Sequence, residues 1–191
     1  RQAYYTTIPR QRNTMHILLE YITPAIYDVT IFGDHILSPF NQENRIFYRY
    51  TTSLLNDTMA TVGFRPRFVN NTQLVKGSAT VDVGTGRVAS VTMEGEFDML
   101  HFRAIATMGT DGIRALVPQR SETNVEFKFV GNRVSSHFEA HFGCTPTLPD
   151  TLDIIGDRQL IDSLRPVPLT DEENYVYAAN GMPHLSAIVE K

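Results

Sequence analysis

The sequence has no tryptophan and only one cysteine, Cys144, among its 191 residues. A single thiol excludes an intrachain disulfide and any zinc site that needs several cysteines. No apolar run approaches the roughly 20 residues of a transmembrane helix, and no segment has the pattern of a signal peptide. A domain with these absences depends on its own hydrophobic core for stability.

The chain also lacks a net positive charge. The chain carries 17 Lys and Arg against 21 Asp and Glu, which gives a formal net charge of -4. Because nucleic-acid-binding domains are normally basic, we expect no nucleic-acid partner. The hydrophobic fraction of 42% is ordinary for a globular protein. We expect an N-terminal extension or linker over 1–25, a single β-rich domain with C-terminal helices over 26–180, and a tail over 181–191.

Apolar and polar residues alternate from about residue 27 to about residue 142, with the period of two that is typical of strands. The clearest case is a hairpin around the turn at residues 84–86. A slip of one residue would place its apolar sets on opposite faces, so the pattern specifies the register. The pairs that it predicts are Val83–Arg87, Val81–Ala89, Ala79–Val91 and Gly77–Met93.

Pro66 interrupts another alternating segment. Proline has no N–H to donate to a neighbouring strand, so we expect this strand to lie at an edge or to be bulged at that point.

Two short helices are predicted after the strands. The first spans about 157–164 and stops there because Pro166 disfavours helix at the preceding residue; the second spans about 171–179 after a capping box at residues 170–173. The sequence therefore predicts an α+β, mostly β fold. We expect a curved, half-barrel-like antiparallel sheet with one apolar face, partly covered by the short C-terminal helices.

The apolar face is the first candidate site. Two short helices cannot easily hide all of it, so part of the face stays open unless the basic N-terminal segment covers it. An open remainder would suit a lipid, an acyl chain or a hydrophobic protein segment. The candidate ligand-binding residues on this face are Val91, Met93, Phe97, Phe102, Phe127 and Phe138.

Catalytic and metal-binding alternatives are weaker. Glu94, Glu96 and Asp98 share one strand face at intervals of about 7 Å, which is within reach of a hydrolase carboxylate pair, but a solvated strand face explains them as well. His137 and His141 would lie about 13 Å apart on a strand, too far for one ion. We expect no enzyme activity, no metal and no cofactor.

Several segments together resemble an uncharacterised envelope family of Bacteroides-type bacteria. These segments are 36–40 (ILSPF), 47–50 (FYRY), 72–77 (TQLVKG), 81–82 (VD), 85–87 (TGR), 95–99 (GEFDM), 127–132 (FKFVGN) and 164–170 (LRPVPLT). Members of that family carry a carboxypeptidase-regulatory-like module, a region like this one, and an outer-membrane barrel. The resemblance covers about residues 30–180 and implies a periplasmic or outer-membrane-associated accessory domain, with a barrel in the same full-length chain as a possible partner. It supplies no catalytic residues, and the strand pattern is also similar to lipoprotein-carrier-like domains at the level of the fold.

Overall fold

The computed structural model describes residues 2–6, 24–32, 35–68, 71–97, 100–110, 112, 116–142, 168–171, 174–175 and 184–188. The chain divides into two compact units, Leu18–Phe142 and a second unit of Arg1–Ile17 with Gly143–Lys191. In the second unit, β1 (Gln2–Thr6) pairs antiparallel with β9 (His184–Ile188). These two strands fall within the predicted N-terminal extension and C-terminal tail.

The larger unit contains a seven-stranded antiparallel sheet in which each strand pairs with its neighbours in sequence. The sheet is open, because its order runs from β2 to β8 without β2 and β8 pairing. This confirms the predicted mostly β, antiparallel fold. The strands are β2 (Tyr48–Leu54), β3 (Met59–Pro66), β4 (Lys76–Asp82), β5 (Val88–Phe97), β6 (Leu100–Met108), β7 (Pro118–Phe129) and β8 (Asn132–His141).

The predicted hairpin is β4–β5, and its register is confirmed away from the turn. Ala79 pairs with Val91 and Gly77 with Met93, but Val81 pairs with Val88 and not with Ala89. The predicted register is wrong near the turn because a bulge shifts the pairing between Thr80 and Val81.

Gly86 shapes the turn that closes this hairpin. Its φ of 71° lies in the left-handed region, which glycine adopts without steric cost. The Gly86 N–H donates to the Asp82 carbonyl at 2.8 Å, and the Asp82 N–H donates to the Arg87 carbonyl at 2.8 Å. The turn therefore sets Asp82 opposite Arg87 and Val81 opposite Val88, while Thr80 pairs with Ser90, so Ala89 is the extra residue of the bulge in β5.

Pro66 does not mark an edge strand. It is the last residue of β3, which lies between β2 and β4, and it pairs with Tyr48 without a shift in register. The prediction of an edge or a bulge was wrong because pairing with β4 stops at Phe64, so no β4 residue requires an N–H from Pro66.

Residues 24–32 and 35–47, here called the cover segment, pack on the apolar face of the sheet. Ile26, Ile31, Phe32 and Ile36 are buried in one core with sheet residues such as Met93. The Phe40 ring lies edge-on to Phe64 with centroids 5.4 Å apart. The segment ends in a short 3-10 helix, Gln42–Phe47, whose N-cap Asn41 accepts from the Glu43 N–H at 3.0 Å.

Side-chain hydrogen bonds hold the irregular backbone of the cover segment. The buried Asn44 donates its amide to the carbonyls of Val29 at 2.7 Å and Ser38 at 3.0 Å. The buried Ser38 hydroxyl donates to the Ile26 carbonyl and accepts from the Phe40 N–H. These bonds replace the regular pairing that the segment lacks, which is what a buried loop requires.

The predicted C-terminal helices fall mostly outside the described residues. The first, 157–164, lies there entirely. Within the second, Asp171, Asn174 and Tyr175 are helical, and the Asn174 N–H donates to the Thr170 carbonyl at 2.9 Å. The cover that the structure describes on the sheet is therefore the N-terminal cover segment.

Candidate functional site

The register places the described side chains of the candidate site on one face of the sheet. Val91 of β5 pairs with Ala106, and Met93 pairs with Ala104. Ala104 pairs with Thr123, which pairs with Phe138. The alternation of strand residues then brings Phe102 and Phe127 to the same side. The side chain of Phe97 lies outside the described part of the structure, while its backbone pairs with Leu100.

Three of the candidate residues belong to the covered core. Val91 is 1% exposed and Met93 is fully buried. The Phe102 ring lies edge-on to Phe32 of the cover segment, with centroids 5.5 Å apart. Phe102 also occupies the space above Gly95, where an added Cβ would lie 2.6 Å from its ring. A ligand on this face would therefore have to bind beyond these three side chains.

The apolar face continues past the cover segment onto β7 and β8. We call this region the apolar strip, and its side chains are all half-buried. Small side chains lie beside it, because Thr123 and Ser121 are buried between it and the covered core. The apolar strip consists of Leu100, Val125, Phe127, Phe138 and Ala140.

The carboxylates considered for hydrolysis lie on the opposite face. Glu94 pairs in register with Lys76, and its carboxylate lies 3.7 Å from Lys76 Nζ and 3.9 Å from Arg103 Nε. Glu96 lies 3.7 Å from His101 Nδ1. Asp98 is outside the described residues. Each described carboxylate thus faces a basic side chain and is about half exposed.

The two histidines of β8 have separate partners on the same outer face. His137 Nδ1 lies 2.8 Å from Asn124 Oδ1, and His141 Nε2 lies 2.8 Å from Glu139 Oε1. Arg120 Nε also donates to Glu139 at 2.7 Å. Partial burial opposes ionisation of Glu139, but the hydrogen bonds from Arg120 and His141 outweigh it and hold the pKa of Glu139 below its usual value.

The described residues contain neither a cluster of metal ligands nor a helix that could span a membrane. Within these ranges no three His, Cys, Asp or Glu side chains meet in a group that could hold a metal ion. In the same part of the chain, no helix has the length and apolar character needed to cross a membrane.

Sequence reasoning missed the residues that decide how much of the apolar face is covered. The alternation predicted from about residue 27 does not hold in this segment, because Ile31 and Phe32 are adjacent and both are buried, so the pattern did not identify them or Ile36 as core residues. Their apolar character, close to the Ser38-Pro39 and Asn41 turn chemistry, was the available signal.

Comparison of the chain with protein-family models, with curated proteins and with solved structures finds no match. The resemblance to an envelope family therefore stays a prediction.

Proposed function

We propose that the protein is a non-enzymatic accessory domain that holds an acyl chain on its apolar strip. Its place in the periplasm or at the outer membrane is part of the same proposal and rests on the resemblance alone. A hydrophobic segment of a protein partner is the alternative occupant, and the experiment below distinguishes the two.

One observation carries the proposal. The cover segment buries the apolar face over β3 to β6, while Val125 and Phe138 beyond it are only half-buried. Apolar side chains in this state gain free energy from further burial, at about 0.8 kcal/mol for each methylene of a ligand removed from water. A dissociation constant on the order of 1 μM corresponds to about 8 kcal/mol, so an acyl chain must bury more than about ten methylenes once the entropic cost of binding is included.

Hydrolysis by the outer face is the less favoured function. A retaining or inverting glycosidase needs one carboxylic acid that keeps its proton, in a desolvated site. Glu94 and Glu96 instead lie beside Lys76, Arg103 and His101, and about half of each carboxylate side chain is exposed.

A titration with a fluorescent fatty acid tests the proposal. We expect saturable binding at micromolar strength and at least tenfold weaker binding by Phe138→Ser, because Phe138 is a half-buried aromatic side chain of the apolar strip. Val130→Ser is the matched control, since Val130 is 82% exposed in the turn between β7 and β8 and lies off the strip. It should bind as the wild type does.

The outcomes separate the possible occupants. Absence of fatty-acid binding by the folded wild-type protein would refute the acyl-chain proposal. If a hydrophobic peptide binds and the fatty acid neither binds nor competes, the occupant is a protein segment and the proposal is also wrong. Equal weakening by Phe138→Ser and Val130→Ser would show that the ligand binds elsewhere.

A further inference from the structure

Strand β2 lies at one edge of the sheet, and half of its backbone groups point away from β3. The Arg67 N–H donates to the Phe47 carbonyl at 2.8 Å, and the Leu55 N–H donates to the Met59 carbonyl at 2.9 Å. These bonds fix the odd-numbered residues of β2 as the ones that bond to β3, since the register between them has no shift. The N–H and C=O groups of Tyr50, Thr52 and Leu54 therefore point outward.

The outward edge is closed at its start and open over the rest of the strand. The Tyr48 N–H donates to the Arg45 carbonyl, and the Tyr48 carbonyl accepts from Arg67 Nε at 2.7 Å. No described residue bonds to the outward backbone groups of Tyr50, Thr52 and Leu54. The open edge thus spans 50–54, with Thr52 at its centre.

The open edge lacks the features that natural proteins use to block strand pairing. The residues from 50 to 54 read YTTSL, with no charge and no proline, and their register with β3 has no bulge. The strand carries an exposed apolar side chain as well, because Leu54 is 77% exposed. An open row of donors and acceptors on a β-prone strand is a template for another strand.

We propose that two copies of this chain associate through their β2 strands, antiparallel across a two-fold axis at Thr52. This register is the one in which the two open edges overlap completely. It pairs Thr52 with Thr52 of the second copy and Tyr50 with Leu54, so that the exposed Leu54 packs on an aromatic ring. Threonine pairs and aromatic–aliphatic pairs are favourable across antiparallel strands.

Repulsion between like charges does not oppose this register. Arg49 lies opposite Leu55 of the second copy, and the two Arg49 residues are separated by six positions, about 20 Å along the strands. That separation exceeds the screening length of about 8 Å at physiological salt. One short strand pair is a small interface, so the dimer should be weak, with a dissociation constant on the order of 100 μM.

Disulfide trapping tests the register. In a background with Cys144→Ser, Thr52→Cys should form a covalent dimer under mild oxidation, because bonded antiparallel partners have Cα atoms about 5.5 Å apart, which a disulfide can span. Leu54→Cys is the matched control on the same edge. Its two copies would lie about 14 Å apart, so it should stay monomeric. Equal trapping of both variants, or trapping of neither, would overturn the proposal.

Sedimentation equilibrium tests the association itself without a crosslink. The wild-type chain should show reversible dimerisation, and Thr52→Lys should weaken it at least tenfold by placing two ammonium groups at the axis. Gln73→Lys adds the same charge at an exposed loop position away from β2 and should dimerise as the wild type does. A wild-type chain that stays monomeric near 1 mM, or a Thr52→Lys variant that still dimerises normally, would refute the proposal.

Discussion

The hydroxyl of Tyr48 joins the cover segment to the sheet, and its removal gives the sharpest test of the fold. Tyr48 is fully buried, its hydroxyl donates to the Leu37 carbonyl at 2.6 Å, and it accepts from the Val75 N–H at 3.3 Å. Tyr48→Phe removes one oxygen atom and leaves the ring in place. The variant therefore measures these two hydrogen bonds with little change in packing.

The expected loss of stability follows from the two partners that are left behind. A buried polar group without its partner costs about 1–3 kcal/mol. With two such groups, Tyr48→Phe should lower the free energy of unfolding by about 2–6 kcal/mol. This is a large fraction of the 5–15 kcal/mol that is typical of a whole domain.

Urea denaturation followed by tyrosine fluorescence and circular dichroism measures the change. Tyr50→Phe is the matched control, because Tyr50 is half-buried and donates one bond, to the Pro39 carbonyl at 2.7 Å. Water can replace that bond, so the control should lose only about 1 kcal/mol. Equal losses in the two variants, or a larger loss in Tyr50→Phe, would refute the packing described for the cover segment.

The same residue predicts a dependence on alkaline pH. Burial raises the pKa of Tyr48 from 10.0 to about 12, against the opposing effect of the Val75 N–H. The folded state thus favours the neutral phenol, and this stabilisation is complete below pH 10 and is lost between pH 10 and about 12. Two pKa units correspond to about 3 kcal/mol. Tyr48→Phe should lose less stability than the wild type over this range, and an unchanged slope would contradict the burial of the phenol.

Two further substitutions test the faces of the sheet. Val91→Asp should lower the free energy of unfolding by several kcal/mol, because it places a carboxylate among buried residues, whereas Glu96→Gln on the outer face should change it by less than about 0.5 kcal/mol. The reverse order in thermal melts would mean that the faces are assigned wrongly. Arg65→Glu should raise the free energy of unfolding by about 0.5 kcal/mol, because Arg65 pairs directly with Arg49 and the change replaces two like charges by opposite ones. Arg49→Glu combined with Arg65→Glu should cancel the gain, and a gain that persists in the double variant would exclude a pairwise cause.

The sheet was largely predictable because alternation is a local signal. The Gly77–Met93 and Ala79–Val91 pairs follow from the pattern, since a shift of one residue exposes every apolar side chain. The error at Val81 came from a bulge next to the turn, where Ala89 is an extra residue of β5 that the alternation pattern does not reveal.

The cover segment was not predictable from periodicity. Its backbone is irregular, and its position depends on bonds to residues far along the chain, such as the one from the Val88 N–H to the Tyr27 hydroxyl at 3.0 Å. Ser38 and Asn44 are ordinary turn residues in the sequence, and only their burial distinguishes them. Long-range bonds of this kind leave no pattern in a short window of sequence.

The sequence predicted which side of the sheet the candidate residues share, but not how much of that side is left uncovered. The register confirms that Val91, Met93, Phe102, Phe127 and Phe138 share a side of the sheet. The area of that side that a ligand can reach depends on the cover segment, and the alternation of apolar and polar residues does not predict that segment. Phe32 lies where the covered part of the apolar face ends, because it packs against Phe102.

The position of the cover segment in the chain has a consequence for biosynthesis. The residues of the cover segment precede every strand whose apolar face they cover, so the ribosome completes the cover before it makes Val91 or Ala104. Each emerging strand can then bury its apolar side chains against a segment that already exists. A cover made after the strands would leave the finished sheet in water until the last helix was translated, and transiently exposed apolar surface promotes aggregation of nascent chains. The order of the elements thus shortens the period in which the growing polypeptide is vulnerable.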